Sequence, residues 1–169
     1  MGPALHRLSL PAQMLERGFW LYIWEVLRPD APPLYYVGRT GDNSSPHASA
    51  PYSRMGQHLG KAKTQNALRR QLAARGLRPE DCLRFELYSH GPIYPEIHIE
   101  GADRATLMAH HIPLRNQVAV MEKLLCDGMK AGGYEVMNSV GCKWALSDDG
   151  AAKWAEAKGA FQTAFPDLK

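Results

Sequence analysis

Two runs of aromatic and branched residues constrain this chain most: Trp20 to Leu27 (WLYIWEVL) and Leu34 to Gly38 (LYYVG), separated by Arg28-Pro29-Asp30-Ala31-Pro32-Pro33. Such residues favour a pleated backbone, and two runs across a short polar turn predict a β-hairpin. Leu83 to Tyr88 (LRFELY) alternates apolar and polar residues and predicts a third strand. Glu96 to Glu100 alternates in the same way and reads as an edge strand.

Helical signals fill much of the rest. Ser9-Leu10-Pro11 suits a helix start within the amphipathic stretch Leu8 to Leu15. After the Gly-, Asn-, Ser- and Pro-rich loop from Gly41 to Pro51, Ser53 or a neighbour is expected to cap a helix carrying Arg54 and His58. Thr64 opens a second run to Arg75, stopped by Gly76 and Pro79. Asp103 to His110 is compatible with a helix. Pro113 suits the first turn of another that runs to about Lys130, with Leu114, Val118, Met121 and Leu125 as its apolar stripe. Gly132-Gly133 ends it, Tyr134 to Val140 is extended, and Ser147 to about Phe165 reads as a C-terminal helix. The expected fold class is α/β (α+β): a small three-stranded antiparallel sheet flanked by helices.

A length of 169 residues suits one domain. With 45% apolar and 22% charged residues the composition is globular, which excludes wholesale disorder. No apolar run approaches the ~20 residues of a membrane-spanning helix. Secretion and lipidation signals are not recognisable in the first residues, so a cytoplasmic location is expected, nucleoid-associated if the protein is bacterial. Cys82, Cys126 and Cys142 form no C-x-x-C pair and read as small buried hydrophobes.

The net charge of +3 is unevenly placed. Asn43 to Pro79 contains no Asp or Glu but holds Arg54, Lys61, Lys63, Arg69, Arg70, Arg75 and Arg78, which leaves the remainder at −4. A basic patch on an otherwise acidic protein suits a phosphate backbone, and a solvated helix face fits the same charges equally well.

Chemistry-bearing residues follow one another in a distinctive order. Tyr22 and Tyr36 lie on neighbouring strands, Arg54 and His58 share a helix face at i, i+4, and Glu122 stands at the edge of an apolar helix stripe. The succession WLYI (20–23), YYVG (35–38) followed by Arg39-Thr40, R-M-G-Q-H (54–58), Glu122 and Asn138 resembles the GIY-YIG nuclease superfamily over about Phe19 to Gly141. Trp20-Leu21-Tyr22 stands where the name-giving Gly-Ile-Tyr would be, keeping the tyrosine. A histidine often found on the following helix has Gln65 or Asn66 near its place. On this resemblance residues 19–141 form the nuclease domain, with insertions at about 41–52 and 89–111. Residues 1–18 and 142–169 are then helical extensions.

The resemblance implies a metal-dependent endonuclease acting on DNA phosphodiesters. Glu122 would hold one Mg²⁺ or Mn²⁺, Tyr22 would activate the attacking water, and Arg54 would grip the scissile phosphate, with Arg39 a second candidate. Tyr36 and His58 would orient water and phosphate or relay protons, and Asn138 would hold the geometry. Arg39, Lys61, Lys63, Arg69 and Arg70 are the expected nucleic-acid contacts. One such site cuts one strand, so duplex cleavage implies a homodimer or two encounters. The alternatives are a catalytically weak nucleic-acid-binding module of the same fold and a protein-interaction domain. His90, His98, His110 and His111 with Glu96 and Glu100 lack the helical spacing of a zinc site. Trp144, Trp154, Phe161 and Phe165 could stack on bases, although the i+7 and i+11 spacings from Trp154 suit a packed helix face.

Overall fold

The computed structural model describes residues 2–62 and 66–169. Its centre is an antiparallel sheet of β1 (Gly18–Arg28), β2 (Ala31–Arg39) and β3 (Arg84–Pro95) in the order β2-β1-β3. The fold is the expected small α/β arrangement, with helices on both faces. β1 reads as an almost unbroken apolar run because, as the central strand, it is covered on both sides. Its odd-numbered residues Phe19, Leu21 and Ile23 join the larger core, where Val118, Met121 and Leu125 of α3 (Arg104–Ala131) and Phe161 of α4 (Asp148–Gln162) pack. Its even-numbered residues Tyr22, Trp24 and Val26 meet a smaller core with Leu68 and Leu72 of α2 (Ala67–Ala73), beside α1 (Pro51–Leu59).

Several boundaries differ from the sequence expectations, each for a local reason. The hairpin turn is only Pro29-Asp30, with Asp30 at φ 52°, so Pro32 and Pro33 belong to β2. An edge strand tolerates proline because its outward N–H has no ladder partner to lose. The first residues form a single 3-10 turn, Ala12–Leu15, in place of an amphipathic helix, and Leu8 and Leu15 are exposed. Helix α1 has Ala50, not Ser53, at its N-cap; the preset φ of Pro51 starts it. The expected opening of the second helix at Thr64 lies outside the described residues, as do Lys63 and Gln65.

The largest differences concern 89–111. Residues 89–95 extend β3, pairing Tyr22 with Ser89 and Phe19 with Tyr94. Glu96 to Glu100 forms no strand, because Glu96 is drawn to Arg17 and His47. Asp103 caps a single helix by accepting from the Thr106 N–H, and that helix runs through Pro113 to Ala131. Pro113 is tolerated inside it because Pro113 and Ala109, whose carbonyl loses its intrahelical partner, are both exposed to water. Cys126 is buried as expected, whereas Cys82 and Cys142 are half-buried; all three are free thiols. Among the described residues no helix is long and apolar enough to cross a membrane.

Candidate active site

Register brings the two tyrosines together. Tyr22 pairs with Gly38 and Trp24 with Tyr36, so Tyr22 and Tyr36 share one face as diagonal neighbours. Gly38 has to be small: a Cβ there would collide with the ring of Tyr22, which lies across it. Trp20, two residues before Tyr22, needs a different accommodation. Its indole packs against Gly91, at φ 150°, where the β1–β3 register shifts.

Helix α1 covers this face. His58, 1% exposed, has its ring centre 5.1 Å from that of Tyr36 and 5.4 Å from that of Tyr22. Its Nε2 is 2.6 Å from the Tyr22 hydroxyl. Burial, reinforced by Arg54, lowers the His58 pKa to about 4, so the imidazole is neutral at pH 7. A neutral ring whose Nε2 accepts the phenolic proton carries its own proton on Nδ1, which is buried without a partner among the described residues. Burial raises the Tyr22 pKa far above its ordinary value, and Arg54 is the largest opposing influence. Tyr36 is pushed up to about 12, by burial and then by Glu122.

One helical turn before His58, Arg54 donates from Nη1 to Gln57 Oε1 at 2.7 Å, while its buried Nε has no partner among the described residues. Glu122 arrives from α3 and accepts from Arg39 Nε at 3.0 Å through Oε2. Burial raises its pKa against the pull of the Arg39 guanidinium. Arg39 also donates to the Gly41 carbonyl, so it fixes the carboxylate and the start of the next loop together.

These groups line one pocket of about 250 Å³: Tyr22, Tyr36, Arg39, Arg54 and Glu122, with Gln57 and Asp42. A second cavity of about 500 Å³ shares Tyr36 and Glu122 and continues past Arg70, Asn138 and Ser139. Asn138 lies in that second cavity; its side-chain amide accepts from the Val37 N–H at 3.1 Å and donates to the Val37 carbonyl at 2.8 Å. It thereby caps the edge of β2 between Tyr36 and Gly38, as a neighbouring strand would.

Gln57 and Asp42 were not among the residues expected from sequence. Gln57 could have been found from its i+3 position after Arg54. Asp42 lies in a loop whose placement no local signal reveals: His111 Nε2 lies 2.8 Å from the Asp42 carbonyl, and Arg104 donates to the Ser44 carbonyl at 3.0 Å. Burial favours its neutral form, but hydrogen bonds from Ser44 and the charges of Arg54 and Arg39 prevail, so its pKa is lowered.

The basic run is less uniform than its sequence suggests. Arg69 donates to the Leu59 carbonyl at 3.0 Å and to Glu80 at 2.8 Å, stapling α2 to its neighbours. Arg78 pairs with Asp81, and Arg75 donates to the Met137 carbonyl. Lys61 is exposed outside both cavities, and Arg70 alone of the α2 arginines lines the second. The histidines do not converge. His111 is buried against Phe19, His90 is on β3 near Phe161, and among the described residues no three His, Cys, Asp or Glu side chains form a metal-holding group.

The buried His58 makes stability depend on pH. Its folded pKa of about 4 lies below the ordinary 6.5, so between those values the unfolded chain binds more protons. The resulting stabilisation, about 3 kcal/mol, is complete above the unfolded pKa and is lost as pH falls towards the folded one. Urea unfolding at pH 7 and about pH 5 should show a larger pH difference for the wild type than for His58→Gln; equal differences would refute it.

Comparison with protein-family models, curated proteins and solved structures gives no match for this chain.

Proposed function

We propose that this protein is a divalent-metal-dependent endonuclease of the GIY-YIG type that hydrolyses DNA phosphodiester bonds. The observation carrying this reading is one polar pocket in which Tyr22, Tyr36, Arg54 and Glu122 meet, with His58 hydrogen-bonded to Tyr22. Four separate stretches of chain supply them, and no packing requirement calls for that combination of groups.

Glu122 suits a hard cation that takes few protein ligands and keeps much of its water. Arg39 occupies only Oε2, and Oε1 has no hydrogen-bond partner among the described residues. Mg²⁺ or Mn²⁺ held by Glu122 would supply charge neutralisation for the phosphate and the leaving oxygen. Arg54, which lines the pocket and is held by Gln57 through Nη1, would grip the scissile phosphate with its guanidinium.

Tyr22 does not need to be a free tyrosinate. Its phenol is protonated at neutral pH, and His58 is a neutral acceptor 2.6 Å away. As the attacking water gives a proton to the phenolic oxygen, the phenol passes its own to His58 Nε2. The water oxygen bonds phosphorus, and the P–O3′ bond breaks with its electron pair going to O3′. That oxygen takes a proton from solvent, while the imidazole, a weak base with a pKa of about 4, releases its own to solvent. Tyr36 orients water and phosphate beside His58. Asn138 and Arg39 are positioning residues, acting through Val37 and Glu122.

Supercoiled plasmid incubated with the protein and Mn²⁺ should yield nicked circles before linear DNA, since one pocket severs one strand. Plasmid that stays supercoiled at all metal concentrations would refute the nuclease reading. Binding without nicking would assign the chain to nucleic-acid-binding modules.

A further inference from the structure

The chain leaving Asn138 carries a surface that the pocket chemistry does not use. Ser139 to Gly141 line the second cavity, and Cys142, Lys143 and Trp144 follow directly. Trp144 is 36% exposed, whereas Trp20 and Trp24 are buried and Trp154 packs against the larger core. Two cations stand against the Trp144 ring: the guanidinium carbon of Arg115 is 4.7 Å from its centroid and Lys143 Nζ is 5.5 Å from it. The Nε of Arg115 is buried without a partner among the described residues.

This cluster adjoins the pocket. Arg115 precedes Glu122 by seven residues in α3, two turns along the same helix face. That separation is about 10 Å along the axis, the span of a few nucleotides. Arg39, Glu122 and Asp42 all act on Arg115 electrostatically, as groups at short range do.

We propose that Arg115, Lys143 and Trp144 form a docking platform for a single strand of nucleic acid, taking an unstacked base against the indole and its flanking phosphates on the two cations. The proposal rests on the nuclease reading of the neighbouring pocket and names its substrate class: DNA with an unpaired stretch beside the cut. An exposed aromatic ring flanked by cations is how strand-binding grooves hold bases without reading their sequence. Lys143 is exposed, so it can swing off the ring to meet a phosphate as a base arrives. A blunt duplex keeps its bases stacked and offers the platform only its backbone.

Fluorescence anisotropy in EDTA, where cleavage is suppressed, tests this with a labelled single-stranded oligonucleotide and the blunt duplex of the same sequence. Trp144→Ala should weaken single-strand binding by about tenfold and duplex binding by less than about twofold, with Trp144→Phe restoring most of the loss. Lys143→Ala, which removes an exposed side chain, should reduce the salt slope of single-strand binding by about 0.7. Unchanged single-strand affinity in Trp144→Ala, or an equal loss for both oligonucleotides, would overturn the platform. So would an equal Trp144 dependence for a poly-glutamate peptide, which would assign the surface to an acidic protein segment. The two readings fail separately. Trp144-dependent strand binding without metal-dependent nicking removes the nuclease and keeps the platform. Glu122-dependent nicking with Trp144→Ala binding the strand normally removes the platform alone.

Discussion

Glu122→Ala is expected to abolish Mg²⁺- or Mn²⁺-dependent nicking of supercoiled plasmid. Glu122 is the acidic group shared by both cavities, and its Oε1 is uncommitted. Its removal also leaves Arg39, whose side chain is 13% exposed, without its partner. Breaking such a pair costs about 3–5 kcal/mol, so loss of activity in the alanine variant needs a folded control. Glu122→Gln supplies one, because an amide oxygen still accepts from Arg39 Nε while the negative charge is gone. Both variants should lose nicking and the heat of Mn²⁺ binding in calorimetry, and Glu122→Gln should melt near the wild-type temperature. Full nicking by Glu122→Gln would refute Glu122 as the metal ligand.

Arg54→Ala should lower the nicking rate by about 10²–10³-fold at saturating DNA, the usual cost of losing one preorganised partner of transition-state charge. The guanidinium is held from Gln57 with its Nε buried and unpartnered, a geometry set before a phosphate arrives. Arg54→Lys should recover only part of the rate, since an ammonium keeps the charge but not the planar fork. The competing explanation is simple docking. A docking arginine would change the apparent affinity, and low salt would erase the defect. A rate that returns to wild type at low salt would therefore move Arg54 from the reacting centre to the binding surface.

Much of the sheet was legible because period-two alternation and aromatic, branched composition act locally. WLYIWEVL and LYYVG each fall within a strand, and LRFELY does so from Arg84 onward. The pairing of Tyr22 with Gly38 was not legible: the two-residue turn alone would set Tyr22 opposite Val37, and it is the register shift between Val26 and Arg28 that puts both tyrosines on one face. What was misread was set by long-range contacts. Pro113 looked like a helix start because its ring suits a first turn, but the cap at Asp103 and exposure of the lost carbonyl let one helix run through it. Glu96 to Glu100 alternates like a strand, yet Arg17 and His47, both distant in sequence, hold Glu96 elsewhere. Arg69 looked like a free cation until Glu80 and the Leu59 carbonyl proved to occupy it.

By itself the sequence determined the three strands, the i, i+4 pairing of Arg54 with His58 and the placing of Glu122 beside an apolar stripe. Each of these depends on spacing within one element, where backbone geometry alone decides which side chains are neighbours. Tertiary structure decided how those elements meet. It set His58 against the Tyr22 hydroxyl, tied Glu122 to Arg39, hung Asn138 on the edge of β2 and brought Arg115 to Trp144. Those contacts join residues 29 to 101 positions apart, and their geometry comes from the packing of helices on a twisted sheet, which no local pattern encodes.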